Sequence, residues 1–158
     1  MTKYFLTLII LLHSCQQNSV TMNSSTIIPK PVEVINKEGF FNLSFHTKIE
    51  YDSCFYNEAL FLEEVMPIKT GGAKNSIILK QNDLLSKEEY HLKITEKQII
   101  IEASGSEGQM HGIQSLRQLI PSDYKNKLLN IPINCVEIHD YPRFKWRGLL
   151  LDCCRHFI

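Results

Sequence analysis

The side chains best equipped for chemistry crowd the end of the 158 residues, where Asp152, Cys153, Cys154, Arg155 and His156 follow one another without a break. Two thiols and an imidazole can be written as a metal site. Neighbouring residues on a strand point to opposite faces, however, so the sulfurs of Cys153 and Cys154 do not readily converge on one ion. The cysteines at 15, 54, 135, 153 and 154 form neither a disulfide framework nor the paired C-x-x-C arms of a zinc site. We therefore expect no metal, and thiols that are mostly buried. Arg155 presents a planar fork of five donors, which suits a salt bridge or the hydroxyls of a ligand. Asp152 could orient that fork and His156 could face the same cleft, although each serves equally well as a satisfied packing residue. His91 and His111 offer less. His91 sits in a stretch whose alternate positions are apolar, so it should point to solvent, and His111 has no catalytic partner nearby in sequence.

Composition narrows the partners. Lys+Arg and Asp+Glu both count 17, so no basic excess is available to neutralise phosphates, and nucleic acid is excluded as an expected partner. A hydrophobic content of 44% is that of a chain that buries a core.

The elements that must position these residues can be read from periodicity. Ile27-Ile28-Pro29-Lys30-Pro31 can be extended but not a central strand, because each proline lacks a donor. Short strands are expected over Phe40 to Phe45 and Lys48 to Tyr51. A helix follows over Asn57 to Met66, with Ala59, Leu62 and Val65 or Met66 on one face, ending before Pro67. Ser76 to Lys80 reads as a strand. Tyr90, Leu92 and Ile94 then alternate before a polar turn, and Ile99, Ile101 and Ala103 resume the alternation, which is the pattern of a hairpin. After Gly105 the period lengthens: Met110, Ile113, Leu116 and Leu119 or Ile120 recur at helical spacing, with Ser106 as a candidate cap and Pro121 as the stop. An extended segment, Leu128 to Ile138, leads to Asp140-Tyr141-Pro142. The pattern implies an α/β (α+β) fold, a small sheet containing antiparallel strands with helices on one face. A second unit opens near His139, and its apolar run Leu149-Leu150-Leu151 is that of a strand buried on both faces.

The beginning of the chain has a separate logic. Lys3 precedes an apolar run, Tyr4 to Leu12, that is too short to span a bilayer and stops at Ser14-Cys15. It reads as an export signal. The order Leu12-His13-Ser14-Cys15 resembles a bacterial lipoprotein cleavage site, with His13 where a small or apolar residue is usual. That resemblance implies acylation of Cys15, a membrane held through a lipid anchor, and a location in the cell envelope; an ordinary signal peptide, and a buried N-terminal strand or membrane anchor, are the alternatives. Residues 1–15 are then the signal, 16–26 a polar tether, 27–138 the small α/β domain and 139–158 the start of the second unit.

The segment Asp140-Tyr141-Pro142-Arg143-Phe144-Lys145-Trp146-Arg147-Gly148-Leu149-Leu150-Leu151-Asp152-Cys153-Cys154-Arg155-His156-Phe157 closely resembles the start of the catalytic barrel of family 20 β-N-acetylhexosaminidases. Three more pieces agree in order: Ile27 to Pro31 with the family's opening, Glu89-Tyr90-His91-Leu92 with its first hairpin strand, and Gly108 to Leu119 with its Gly-rich approach to a helix. The resemblance implies that residues 139–158 supply the first strand of an incomplete (β/α)8 barrel, a fold that usually takes about 250 residues. Active sites of such barrels lie at the C-terminal strand ends, so a strand over Trp146 to Cys153 puts Arg155 at the site and Arg143 and Arg147 at the structural end.

In the family, the arginine of this Arg-His-Phe context binds hydroxyls of the non-reducing N-acetylhexosamine, with Asp152 and His156 as secondary candidates here. Phe144 and Trp146 are expected to pack at the join between the units. Hydrolysis in the family is substrate-assisted, with an Asp-Glu pair on a later barrel strand and no cofactor. No Asp-Glu dipeptide occurs in this sequence, and Glu63-Glu64 and Glu88-Glu89 belong to the small domain, so no catalytic residue is assigned. The resemblance implies glycans bearing N-acetylhexosamine as partners, and a truncated or fragmentary chain that is inactive alone. The rival expectation is a non-enzymatic surface lipoprotein that binds carbohydrate or a protein through its sheet.

Overall fold

The computed structural model describes residues 27–66, 68, 75–121 and 130–150. Strand β1 spans Glu33–Leu43 and β2 spans Lys48–Tyr51; a 3-10 turn, Ser53–Phe55, leads into helix α1, Tyr56–Val65. Strands β3, Ser76–Gln81, β4, Tyr90–Ile94, and β5, Gln98–Ala103, follow; helix α2, Ser106–Gln118, then returns the chain to β6, Ile131–Asp140. The six strands form one mixed sheet in the order β1-β6-β4-β5-β3-β2. β2, β3 and β5 run parallel, whereas β4 is antiparallel to both its neighbours, and β1 is antiparallel to β6.

Topology explains why the helices share one face. Parallel strands cannot be joined by a tight turn, so β2 reaches β3 through α1, and β5 reaches β6, across β4, through α2. Tyr90, Leu92 and Ile94 on β4, Ile99, Ile101 and Ala103 on β5, and Ile77 and Leu79 on β3 are buried beneath them, as the alternation requires. From the helices come Ala59, Leu62, Ile113 and Leu116, all buried. Two glycines let α2 sit close. A Cβ at Gly108 would stand 2.3 Å from the Glu89 carbonyl oxygen, and one at Gly112 would stand 2.4 Å from Ile101 Cγ2.

Three expectations change. β1 begins seven residues before the expected Phe40, at Glu33, and its early half is hidden by a bulge: between the pairs Asn36↔Val136 and Phe40↔Asn134, Lys37, Glu38 and Gly39 stand opposite Cys135 alone. Gly39 takes φ +92° there, a conformation open to glycine. Ser106 does not cap α2; Gly105 holds the cap position, and the Ser106 hydroxyl donates instead to the buried Glu58 of α1. Trp146 to Leu150, expected as the first part of a strand, joins no ladder among the described residues.

Candidate functional site

Cys15, Asp152, Arg155 and His156 lie outside the described residues, as do Cys153 and Cys154. The structure describes instead the approach to that segment and the uncovered face of the sheet.

The approach is built where three stretches meet. Ile28 N–H donates to Gln118 Oε1 at 2.8 Å, and Gln118 Nε2 donates back to the Ile28 carbonyl at 3.0 Å. Val32 N–H donates to Asp140 Oδ1 at 3.0 Å, so the last residue of β6 holds the first described residues of the chain. Beyond Asp140, Arg147 donates to the Phe144 carbonyl at 2.7 Å and forms an ion pair with Glu88. Arg147 is thus a fastener, which fits the structural role read from its position. A cleft of ≈ 530 Å³ opens here between Tyr90, His111 and Gln118 on one side and Asp140, Tyr141 and Phe144 on the other. His111 contributes Nδ1, 3.2 Å from the Glu88 carbonyl, a backbone contact rather than an acid-base pairing. Phe144 and Trp146, expected to pack at the join, are 73% and 93% exposed, and Leu149 and Leu150 are 89% and 96% exposed. No other described element lies over these four side chains.

The uncovered face carries a polar row that sequence order hides. Register pairs Glu33 with His139, His139 with His91, His91 with Glu102, and Glu102 with Lys80, so five titratable residues line up across five strands. Lys80 Nζ lies 3.0 Å from Glu102 Oε1, and this hydrogen bond is the first cause holding the Glu102 carboxyl below its usual range. One row further, Lys93 pairs with Glu137 at 2.7 Å. A shallow cleft of ≈ 470 Å³ follows this face. His91 does not point freely to solvent: it is half-buried, its ring centroid 4.2 Å from that of His139. Sequence reading missed this because the partner arrives on β6.

Glu89 stands just before β4 and shares that face with His91. Its Oε1 lies 2.7 Å from His139 Nε2, while Oε2 accepts from the Ser86 amide at 2.9 Å and the Ser86 hydroxyl at 2.8 Å. The Ser86 amide, aided by His139 and the Ser86 hydroxyl and opposed by burial, brings the Glu89 carboxyl down to about 2. It is therefore an anion at neutral pH. The two members of the Glu88-Glu89 pair have different partners: Glu88 meets Arg147, and Glu89 meets Ser86 and His139. Cys54 departs from the expectation of buried thiols: it is exposed, its sulfur 3.4 Å from Gln81 Oε1, whereas Cys135 is buried.

A mixed sheet with two crossover helices on one face, and a Pro-Arg-Phe segment leaving its last strand, defines a small α/β domain. Residues 24–141 match the model of glycosyl hydrolase family 20, domain 2. The β-hexosaminidase of Vibrio furnissii is 34% identical over 140 residues, which cover 84% of this chain and 22% of that protein. Among solved structures, the family 20 exo-β-N-acetylglucosaminidase of Vibrio harveyi, in complex with N-acetylglucosamine, superposes with a TM-score of 0.72 at 30% identity, covering 87% of this chain and 22% of that one. The family 20 β-N-acetylhexosaminidase of Streptomyces coelicolor gives a TM-score of 0.71 at 25% identity over 87% of this chain and 30% of its own. This chain belongs to glycosyl hydrolase family 20. It spans under a third of the length of the relatives it matches.

Proposed function

We propose that residues 27–138 are the small α/β domain, and residues 139–158 the first barrel strand, of a β-N-acetylhexosaminidase that removes terminal N-acetylhexosamine from glycans. The match of residues 24–141 to family 20 domain 2 carries this reading, and the Vibrio furnissii β-hexosaminidase supports it. In substrate-assisted, retaining hydrolysis the carbonyl oxygen of the 2-acetamido group attacks the anomeric carbon as a carboxylic acid protonates the departing glycosidic oxygen. A second carboxylate orients the acetamido group. Both carboxyls belong to a later barrel strand. Arg155 binds hydroxyls of the terminal sugar, Asp152 orients its guanidinium, and His156 faces the cleft. Phe144, Trp146, Leu149 and Leu150 are covered by the completed barrel. Cys15 is the acylated residue that anchors the enzyme in the cell envelope; replacing it with Ala should abolish incorporation of labelled fatty acid, and continued labelling would refute the anchor.

The activity is tested on an enzyme that joins these residues to a complete barrel. Release of chromophore from an aryl N-acetyl-β-glucosaminide or galactosaminide is expected, and its absence with both substrates would overturn the reading. Arg155→Ala should lower kcat/KM by about ten- to a hundredfold, the loss expected of charge-assisted hydrogen bonds. An unchanged kcat/KM would remove Arg155 from the site.

A further inference from the structure

We propose that Glu89, His91 and His139 form a binding site for a divalent transition metal, with Zn²⁺ the best fit, on the uncovered face of the sheet. Strand geometry brings them together. Glu89 and His91 are two apart, so both project from the same face at the start of β4, and His139 is the direct cross-strand partner of His91. One donor atom from each lies within 4.8 Å of the other two. Ligands of a tetrahedral ion at about 2.0–2.1 Å stand roughly 3.3 Å apart, so small side-chain rotations close the set.

A plain fastening role explains only part of this arrangement. The bond between Glu89 and His139, at 2.7 Å, accounts for two of the three side chains. His91 is left with Nε2 buried and without a hydrogen-bond partner, a situation that ordinarily destabilises a fold. A metal ion resolves it, taking the Nε2 lone pair while replacing the proton shared by Glu89 and His139. Two further features suit an ion. Glu89 Oε2 is held by the Ser86 amide and hydroxyl, while Oε1 lies against His139. Glu33 Oε2 lies 4.0 Å from His139 Nδ1, beyond hydrogen-bond distance, and a small rotation of this side chain would bring it onto the ring N–H and fix the tautomer that ligates through Nε2. Two imidazoles and one carboxylate favour zinc, cobalt, nickel and copper over magnesium and calcium, and leave a fourth position for water.

The test uses the 158-residue chain, stripped with chelator and titrated with Zn²⁺ by calorimetry and with Co²⁺ by visible absorption. One Zn²⁺ per chain is expected. His91→Gln and His139→Gln should each weaken binding by at least about a hundredfold, Glu33→Gln by about tenfold, and His46→Ala not at all. Circular dichroism establishes that each variant is folded. Absence of saturable binding would overturn the site, as would binding that survives both histidine replacements. The Co²⁺ spectrum is independent of any variant: a d–d band without thiolate charge transfer supports the site, and a strong thiolate band would move the ion to a cysteine and overturn it.

Discussion

One sheet presents two faces that obey different rules. Beneath the helices the buried side chains are nearly all hydrocarbon, and close packing at Gly108 and Gly112 fixes how near α2 may come. On the other face, Glu33, His139, His91, Glu102 and Lys80 share one row and Lys93 and Glu137 the next. Strand alternation makes this division possible, since residues two apart share a face and residues one apart do not. The difference separates two roles: the covered face holds the hydrocarbon core, and among the described residues the other face carries the titratable side chains.

Substitutions can break that contrast or sharpen it. Gly108→Ala should have one of the two largest effects, because the new Cβ meets a backbone carbonyl at 2.3 Å that cannot rotate away; a loss on the order of 3 kcal/mol in urea unfolding is expected. Ile101→Ala, which removes a fully buried side chain beneath α2, should cost about 2–5 kcal/mol by the same measurement. A silent result for both would erase the distinction between the faces.

Tyr90→Phe should cost about 1–2 kcal/mol, since it leaves the buried Ser115 hydroxyl without the 2.6 Å bond it makes with the phenol. The same residue gives a pH signature. Burial pushes the Tyr90 phenol above its ordinary value of 10.0, while the Ser115 bond pulls the other way. Its contribution is therefore fully present below pH 10 and is lost as the pH rises further, because only the unfolded chain then ionises readily. The alkaline fall in stability should be shallower in Tyr90→Phe. Smallest of all should be Lys93→Ala on the open face, below about 1 kcal/mol and weaker still at high salt. A loss there as large as that of Ile101→Ala would show that the open face also holds the fold together.

The hairpin of β4 and β5 was legible because Tyr90, Leu92, Ile94, Ile99, Ile101 and Ala103 keep a period of two. Helix α2 was legible for the corresponding reason at the helical period. The first half of β1 was not, since Lys37, Glu38 and Gly39 interrupt its pattern at the bulge. The row through His91 was illegible for a deeper reason. Its members come from five strands, and the pairing that aligns them is a property of register, not of any local stretch. Asp152, Arg155 and His156 rest on the family motif, outside the described residues.

The bulge has a consequence for life in a crowded compartment. β1 and β2 are the two end strands, and an end strand with free amides and carbonyls is a template on which another chain can polymerise. β2 limits the hazard by being only four residues long and carrying Lys48 and Glu50. β1 has 11 residues, long enough to recruit a partner, but the kink at Lys37-Glu38-Gly39 divides its edge into two short pieces and places charge at the break. Straightening that kink would give the domain a continuous adhesive border, so the irregularity that hid β1 from periodicity also guards it against fibre growth.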